Sequence, residues 1–291
     1  MLGGEGMLGH KVFQILGDRF PETHATLHGR PTDPAYERVD LLQRETVIPG
    51  VEAADFDGLE HLIQGLRPTV VVNCIGIVKQ RAEAHDPIPS ITLNSLLPHR
   101  LAATAASHGA RLIHFSTDCV FSGRGGGYRE DDPADAEDLY GRSKYLGEVS
   151  SPPALTLRTS IIGRELASFA SLLEWFLAQE GKTIRGFRRV LYSGVTTNQM
   201  ARLVGDVIER QPDLTGLYQV AGPWISKHDL LCLARDAFDL EVEIVPDDAE
   251  VNDRTMYGDR FTAATGWRAP SWQEMLAEVA VDPTPYQSWR R

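Results

Sequence analysis

Cysteine is scarce: the chain has three in 291 residues, Cys74, Cys119 and Cys232. They are far apart and odd in number, so neither a disulfide framework nor a Cys-rich metal site is encoded, and no metal is expected. A reducing compartment fits this usage best, which gives a cytoplasmic protein as the expectation. Positive charge is also short, with Lys+Arg 29 against Asp+Glu 40 and a formal net charge of −11. Binding of nucleic acid rests on Lys and Arg neutralising phosphates, so that class of partner is not expected. No apolar run approaches the ~18 residues of a membrane span, and the start lacks the basic-then-apolar order of a signal peptide. No membrane association is expected. There is no internal repeat and no low-complexity tract. What is present is ample apolar material for a core, 42% of residues, in a length that suits one large α/β domain or two unequal ones.

The stretch that carries chemistry is Tyr140-Gly141-Arg142-Ser143-Lys144. Residues four apart share one helix face. A free phenol titrates near pH ~10 and keeps its proton at neutrality, and an adjacent ammonium favours the phenolate and lowers that value. The pair can then give a proton to a carbonyl oxygen that is receiving a hydride. A surface Tyr/Lys pair is the commoner source of this spacing. Two features argue for the catalytic reading: the pair follows a strand ending Phe115-Ser116-Thr117-Asp118, and the chain opens on a glycine-rich turn.

That turn is Gly3-Gly4-Glu5-Gly6-Met7-Leu8-Gly9-His10. Read as Gly3-x-x-Gly6-x-x-Gly9, it spaces glycines for a tight turn, a close approach to pyrophosphate, and helix–strand packing. Val12, Phe13, Leu16 and Phe20 mark the apolar face of the helix that follows, whose N-terminal amides would take the pyrophosphate. An ordinary loop gives the same spacing. A strand should precede the turn and only Met1-Leu2 is available, so either the strand is a stub or the start is truncated. Ala25-Thr26-Leu27-His28 reads as a second strand ending at Gly29-Arg30. Its end selects the cofactor: an acid for a ribose 2′-hydroxyl, an arginine for a 2′-phosphate. Arg30, with no acid before Asp33, points to NADPH, with NADH open; a merely solvated Arg30 is the alternative.

Residues 31–50 read as a polar connection, 50–52 as a short strand, and 56–66 as a helix through Leu59, Leu62, Ile63 and Leu66. Residues 69–76 form a near-continuous apolar run, as in a parallel strand buried on both faces. A second helix carries Ile91, Asn94, Leu97 and Leu101, and strands follow at 111–117 and 154–160. Alternating strands and helices imply a parallel sheet with crossover helices. Ligands bind beyond the carboxyl ends of such strands, where Gly3, Gly76 and Thr117 fall. Further on, 172–177, 200–208 and 227–238 read as helices, and 217–220 and 241–245 as strands. Arg185-Gly186-Phe187-Arg188-Arg189 is a basic cluster, either solvated or a phosphate clamp. Ser271 reads as a helix cap, with Glu274 completing a capping box.

On these motifs the chain resembles the extended short-chain dehydrogenase/reductases, and within them the dTDP-4-dehydrorhamnose reductase (RmlD-like sugar nucleotide reductase) family. The matching stretches are Gly3-x-x-Gly6-x-x-Gly9, Phe115-Ser116-Thr117-Asp118-Cys119-Val120-Phe121-Ser122-Gly123, the Tyr140 to Lys144 run with Gly147-Glu148, and Leu157-Arg158-Thr159-Ser160. Together they span nearly the whole chain. The implied fold is α/β: a Rossmann-type doubly wound parallel sheet over 1–160, joined by parts of 190–222, with a smaller C-terminal substrate-binding α/β region over 161–291. The resemblance implies that Thr117 hydrogen-bonds the substrate carbonyl and Tyr140 donates the proton. Lys144 would depress the tyrosine pKa and hold the nicotinamide ribose. Implied cofactor contacts are Gly3, Gly6, Met7, Leu8 and Gly9 at the pyrophosphate, and Glu52 and Ala53 on the adenine side, where the family usually has an aspartate first. Cys74, Ile75, Gly76 and Ser116 would lie along the dinucleotide, with Thr159 near the nicotinamide.

The implied substrate residues are Lys79, Asp118, Cys119, Ile161 and Arg254, with Arg185 or Arg188 as further cations for a diphosphate. Two of these depart from the family. Cys119 stands where it has tyrosine, and Ile161 where it has tryptophan. An aromatic ring buries ~150–250 Å², so a larger sugar pocket is expected. The loop Ile77-Val78-Lys79-Gln80 also differs from the family's usual run. The implied activity is NAD(P)H-dependent reduction of the 4-keto group of a nucleotide-activated 4-keto-6-deoxyhexose, in polysaccharide precursor biosynthesis. Alternatives are a UDP-2-acetamido-4-keto-6-deoxyhexose reductase, or a non-catalytic cofactor-binding regulatory subunit, as in methionine adenosyltransferase. An epimerase or 4,6-dehydratase is a further alternative that Asp118 keeps open. A homodimer is compatible with all of them.

Overall fold

The computed structural model describes residues 1–79, 82–167 and 169–289; Gln80 therefore lies outside the described residues. Four strands form a regular parallel sheet in the order Gly216–Val220, Leu155–Thr159, Arg111–Thr117 and Val70–Asn73. Met1-Leu2 continues it as a stub: the Leu2 N–H donates to Val72 O and the Cys74 N–H to Leu2 O. On the stub's other side the Thr26 N–H donates to Met1 O and the Gly4 N–H to Thr26 O. That brings in Ala25–Thr26, which pairs in parallel with Val47–Ile48. Chain order thus reverses between the stub and Val70–Asn73, the switch point of a doubly wound Rossmann-type fold, beside which ligands bind.

Both sheet faces are covered, which is why the central strands read as unbroken apolar runs. Val72, Ile113 and Phe115 point into a core with Val12 and Leu16 of the helix Met7–Arg19, and with Met200, Leu203 and Val204 of the helix Thr197–Arg210. Val71 and Leu112 point the other way, onto Leu59 and Ile63 of Phe56–Leu66 and Leu97 and Leu101 of Leu97–Ser107. Smaller sheets follow. Thr183–Phe187 pairs in parallel with Glu243–Asp247. Val190–Tyr192 lies between Ile225–Ser226 and Asn252–Asp253. The helix Lys227–Phe238 begins directly after Ile225–Ser226, and the capping box expected at Ser271 and Glu274 heads Trp272–Ala280. No helix among the described residues is long and apolar enough to cross a membrane.

Two expectations are corrected. The short strand is Val47–Ile48 rather than 50–52, because Gly50 adopts φ +69° and turns the chain out of the extended conformation. The helix expected around Asn94 is interrupted: Ile91–Leu96 is a π-helix between Pro87–Ser90 and Leu97–Ser107. Pro98 has no N–H to give the Asn94 carbonyl, which loosens the ladder there. Gly147 packs against the freed carbonyl, where a Cβ would come within 1.9 Å of Asn94 O.

Two glycines should respond to alanine with opposite sign. At Gly9 a Cβ would lie 1.8 Å from Gly3 O, whereas at Gly65, late in Phe56–Leu66, it meets nothing within 4 Å. Gly9→Ala is expected to lose about 1–3 kcal/mol or more of stability, and Gly65→Ala to gain about 0.5–1 kcal/mol. Urea unfolding midpoints check both, and equal shifts would contradict this account of the turn.

Candidate active site

The helix Leu139–Leu146 presents the Tyr/Lys pair, and polar contacts fix where it starts. Asp138 caps it, accepting from the Gly141 N–H at 2.7 Å, and its second carboxylate oxygen takes the Lys79 ammonium at 2.7 Å. Lys79 is thereby committed to the helix start. Gly141 lets the helix lie directly on the turn Asp118–Val120: a Cβ there would be 2.2 Å from Cys119 O. The same turn is capped by Thr117, whose hydroxyl accepts from the Cys119 N–H at 3.1 Å and donates to Asp118 Oδ1 at 3.0 Å. The Thr117 hydroxyl also lies near enough to act on the Tyr140 phenol. Lys144 reaches under the helix and donates to Phe115 O at 2.7 Å. A Cβ on Gly76 would sit 3.8 Å from Lys144 Nζ. Thr117, Tyr140, Lys144 and Gly76 are therefore gathered at the carboxyl ends of neighbouring strands.

The electrostatics correct one expectation. Burial raises the Tyr140 phenol, with Cys119 adding to the effect; the nearby Thr117 hydroxyl works the other way. The phenol is not depressed, because desolvation of the phenolate outweighs the rest. The cost of burial falls on Lys144 as well, whose amine drops to about 8, with Glu148 and then Cys74 opposing the fall. Burial likewise raises the Asp118 carboxyl against the pull of Arg254 and the Thr117 hydroxyl.

Opposite this group lies the glycine turn. Gly3 adopts φ +80°. Gly6 caps Met7–Arg19 without a side-chain bond, and the first helical bond runs from the His10 N–H to Gly6 O at 3.0 Å. The amides of Met7, Leu8 and Gly9 precede that bond and point off the helix end, as a pyrophosphate requires. Arg30 is exposed, and its side chain has no hydrogen bond or ion pair among the described residues; its own N–H is held by Asp33 at 2.7 Å. Glu52 is exposed and bonded to His28 at 3.2 Å, and Ala53 is buried. Cys74 and Ile75 are half-buried beside Gly3, the Cys74 thiol pushed up to about 12 by burial. The residues present fit a dinucleotide.

Other expected residues have different partners. The Ser116 hydroxyl donates to Glu148 at 2.6 Å, and that of Thr159 to Val220 O at 2.9 Å. Arg185 pairs with Asp247 on the outer two-stranded sheet, and Arg188 with Asp248. Arg254 does reach the site: its Nε donates to Phe121 O at 2.8 Å, and its charge acts on Asp118. Cys119 is half-buried, its thiol pushed up to about 12 by burial, and Ile161 packs against the main core.

Sequence reasoning missed Tyr192. Burial raises the Tyr192 phenol, and Ser160, Asp118 and Cys119 all act on it. Its hydroxyl oxygen is buried without a satisfied hydrogen bond. Tyr192 thus supplies an aromatic ring near Cys119, where the family's tyrosine was expected to be missing. No local signal marks it, since a three-residue strand has no usable period.

A family model described as RmlD substrate binding domain matches residues 1–282. Methionine adenosyltransferase 2 subunit beta of Bos taurus is 26% identical over 260 residues, covering 82% of this chain and 71% of that protein. The spore coat polysaccharide biosynthesis protein SpsK of Bacillus subtilis is 26% identical over 239 residues, covering 77% and 83%. Among solved structures, dTDP-4-dehydrorhamnose reductase from Bacillus anthracis in complex with NADP superposes with a TM-score of 0.75 at 18% identity, covering 97% of this chain and 98% of that one.

The depressed Lys144 makes a pH prediction. A lysine that must be charged for turnover loses its proton as pH rises through its folded value, so kcat/KM for carbonyl reduction should fall above pH about 8. A profile that stays level up to the ordinary lysine value of 10.5 would contradict the placement of that amine.

Proposed function

The chain belongs to the RmlD substrate binding domain family, and from that premise we propose that it is a nicotinamide-dependent reductase of a nucleotide-activated 4-keto-6-deoxyhexose. The observation that carries the reading is the meeting of Thr117, Tyr140 and Lys144 at the end of the central strand, facing the Gly3–Gly9 turn. Amides of Met7, Leu8 and Gly9 would hold the cofactor's pyrophosphate, and Gly76 leaves room for its passage towards Lys144. The nicotinamide, when bound, supplies the hydride. Tyr140 Oη supplies the proton to the C4 oxygen, and its raised pKa keeps that proton in place until it is needed. Thr117 Oγ1 orients both oxygens. Lys144, charged at neutral pH, stabilises the negative charge that the proton leaves behind on Tyr140.

Four finer points belong to this reading. The exposed, unpaired Arg30 favours NADPH, by a charge-assisted contact to the 2′-phosphate. A place in polysaccharide precursor synthesis is supported by the likeness to SpsK, whose name carries that role. Three free cysteines suit a reducing cytoplasm. The sugar is either that of dTDP-4-dehydrorhamnose or a 2-acetamido analogue; the Ile161 side supports the larger one, and Tyr192 reduces the space gained at Cys119. A second reading, a cofactor-binding regulatory subunit, is favoured by the methionine adenosyltransferase subunit beta relatives. Turnover separates the two.

Tyr140→Phe keeps the ring and removes the proton donor. It is expected to lower kcat by about 10²–10⁴ with NADPH still bound. A parent protein that binds NADPH but reduces no 4-keto sugar nucleotide would favour the regulatory reading.

For the cofactor, the parent should show a higher kcat/KM with NADPH than with NADH, and Arg30→Ala should erode that difference. Equal efficiency in the parent would remove Arg30 from the cofactor site.

A further inference from the structure

The strand Val190–Tyr192 ends on a phenol that is turned inward. The ring of Tyr192 is half-buried and packs on Trp272, with ring centroids 5.3 Å apart. Its oxygen is fully buried and has no hydrogen-bond partner among the described residues. A tyrosine near the surface ordinarily buries its ring and leaves the polar tip wet. Here the order is reversed.

Backbone contacts place that oxygen. The Val195 N–H donates to Ser160 O at 2.9 Å, which holds the chain after Tyr192 against the residue just beyond Leu155–Thr159. A Cβ on Gly194 would lie 2.3 Å from Ser160 O and 2.4 Å from Tyr192 Oη. The phenol oxygen and Ser160 therefore meet in the space that this glycine leaves. In the central sheet Thr159 is the register partner of Thr117. Ser160 and Asp118 are each one residue further on, so Tyr192 Oη stands at the same strand ends as the Thr117 hydroxyl. The electrostatics agree with the geometry: after burial, the groups that act on the phenol are Ser160, Asp118 and Cys119. Burial raises the phenol, so it keeps its proton and can donate as well as accept.

Nothing within the fold uses this hydroxyl. Asp118 takes the Thr117 hydroxyl at 3.0 Å, and Ser160 O takes the Val195 N–H. Phenylalanine would pack on Trp272 equally well, and a buried hydroxyl without a partner is destabilising. The oxygen is accounted for by a partner that arrives with the substrate. In a 4-keto-6-deoxyhexose the C4 oxygen goes to Thr117 and Tyr140. Of the two carbons beside C4, C5 carries the ring oxygen and the methyl group, and C3 carries a hydroxyl. A phenol that both donates and accepts matches that hydroxyl, which does the same.

We propose that Tyr192 Oη hydrogen-bonds the C3 hydroxyl of the sugar, beside the reacting carbonyl, and makes the chain selective for substrates that carry it. This rests on the sugar-nucleotide reading above and adds to it a specificity residue from outside the Thr117, Tyr140 and Lys144 set. A site built to pair a substrate hydroxyl discriminates strongly against the analogue without one, because its own polar group is then left unpaired.

The test measures kcat/KM for dTDP-4-dehydrorhamnose and for a UDP-linked 2-acetamido-4-keto-6-deoxyhexose, each with its 3-deoxy analogue, in the parent and in Tyr192→Phe. On whichever sugar the parent reduces, Tyr192→Phe is expected to lose about 10- to 100-fold with the 3-hydroxy compound and to treat the 3-deoxy analogue as the parent does. Reading the four values as a cycle removes the analogue's own reactivity. NADPH affinity, followed by fluorescence, should not change. A packing role would lower both compounds alike; an equal effect on both, or none on either, would overturn the assignment and leave the reductase reading intact. The parent gives an independent check, since it should prefer the 3-hydroxy compound, and indifference to that hydroxyl would overturn the assignment as well. A parent that binds NADPH but reduces neither sugar would overturn the sugar-nucleotide reading itself, and this assignment with it.

Discussion

The site depends on keeping one amine inside the protein. Lys144 is 7% exposed and donates a hydrogen bond to a single carbonyl, Phe115 O, at 2.7 Å. Burying an ammonium is costly unless opposite charge stands near. Here the largest opposing charge is Glu148, which is itself held from two sides. Arg158 donates to it at 2.8 and 2.7 Å and Ser116 at 2.6 Å, all beneath the strand ends. A buried ion pair of this kind adds little net stability, yet loss of one member costs about 3–5 kcal/mol. The network therefore serves position rather than stability. It holds the amine charged, under Tyr140, at a level in the sheet where a ligand can reach it.

The helices are fitted to the strand ends by backbone, with glycine at each contact. Gly9 lies against Gly3 O, Gly141 against Cys119 O and Gly147 against Asn94 O, at separations that leave no room for a Cβ. Close-packed interiors transmit small displacements, so these three contacts set the relation between the cofactor turn, Thr117 and the Tyr140 helix. The π-turn at Asn94 belongs to the same device. The Asn94 side chain accepts from the Ile77 N–H at 2.9 Å and donates to Ile77 O at 3.1 Å and to Ser143 at 3.2 Å. It thereby joins the loop after Gly76 to the helix that carries Tyr140 and Lys144.

Much of this was legible in the sequence, for a physical reason that also marks the limit. Arg111–Thr117, Phe56–Leu66 and Lys227–Phe238 agree with their expected bounds because long apolar patterns and caps are local signals. The Tyr140 and Lys144 pair came from motif spacing and Thr117 from the family resemblance, and all three fall at neighbouring strand ends. What failed was the direction of single side chains on doubly buried strands. Ser116 and Thr159 sit in runs where both faces are apolar, so the sequence does not say that their hydroxyls turn to Glu148 and Val220 O. Pairings between two- and three-residue strands leave no period either, which is why Val47–Ile48 was displaced and why Tyr192 went unseen. The sign of the Tyr140 shift was misjudged because neighbouring charge was weighed and burial was not.

The cofactor turn has one more support, from the far end of the described chain. Lys11, buried on the helix that opens at the turn, donates to Asp282 at 2.9 Å, Gln14 at 2.7 Å and Thr284 at 3.0 Å. Its neighbour His10 holds Gly6 O through one ring nitrogen at 3.0 Å and the Tyr286 hydroxyl through the other at 2.8 Å. The turn that would cradle pyrophosphate is thus backed by residues 282–286. Its acid response follows from the two shifts. Burial lowers His10 from 6.5 to about 4, so its folded form favours the neutral ring, and this support weakens as pH falls from 6.5 towards 4. For Asp282, burial raises the carboxyl but hydrogen bonds from Thr284 and Lys11 prevail and bring it from 3.8 to about 2, so its contribution is lost as pH falls from 3.8 towards 2. Acid therefore loosens the His10 side before the Lys11 side. Between pH 6.5 and about 8 neither group changes charge, so there the turn keeps its backing while Lys144 carries its proton.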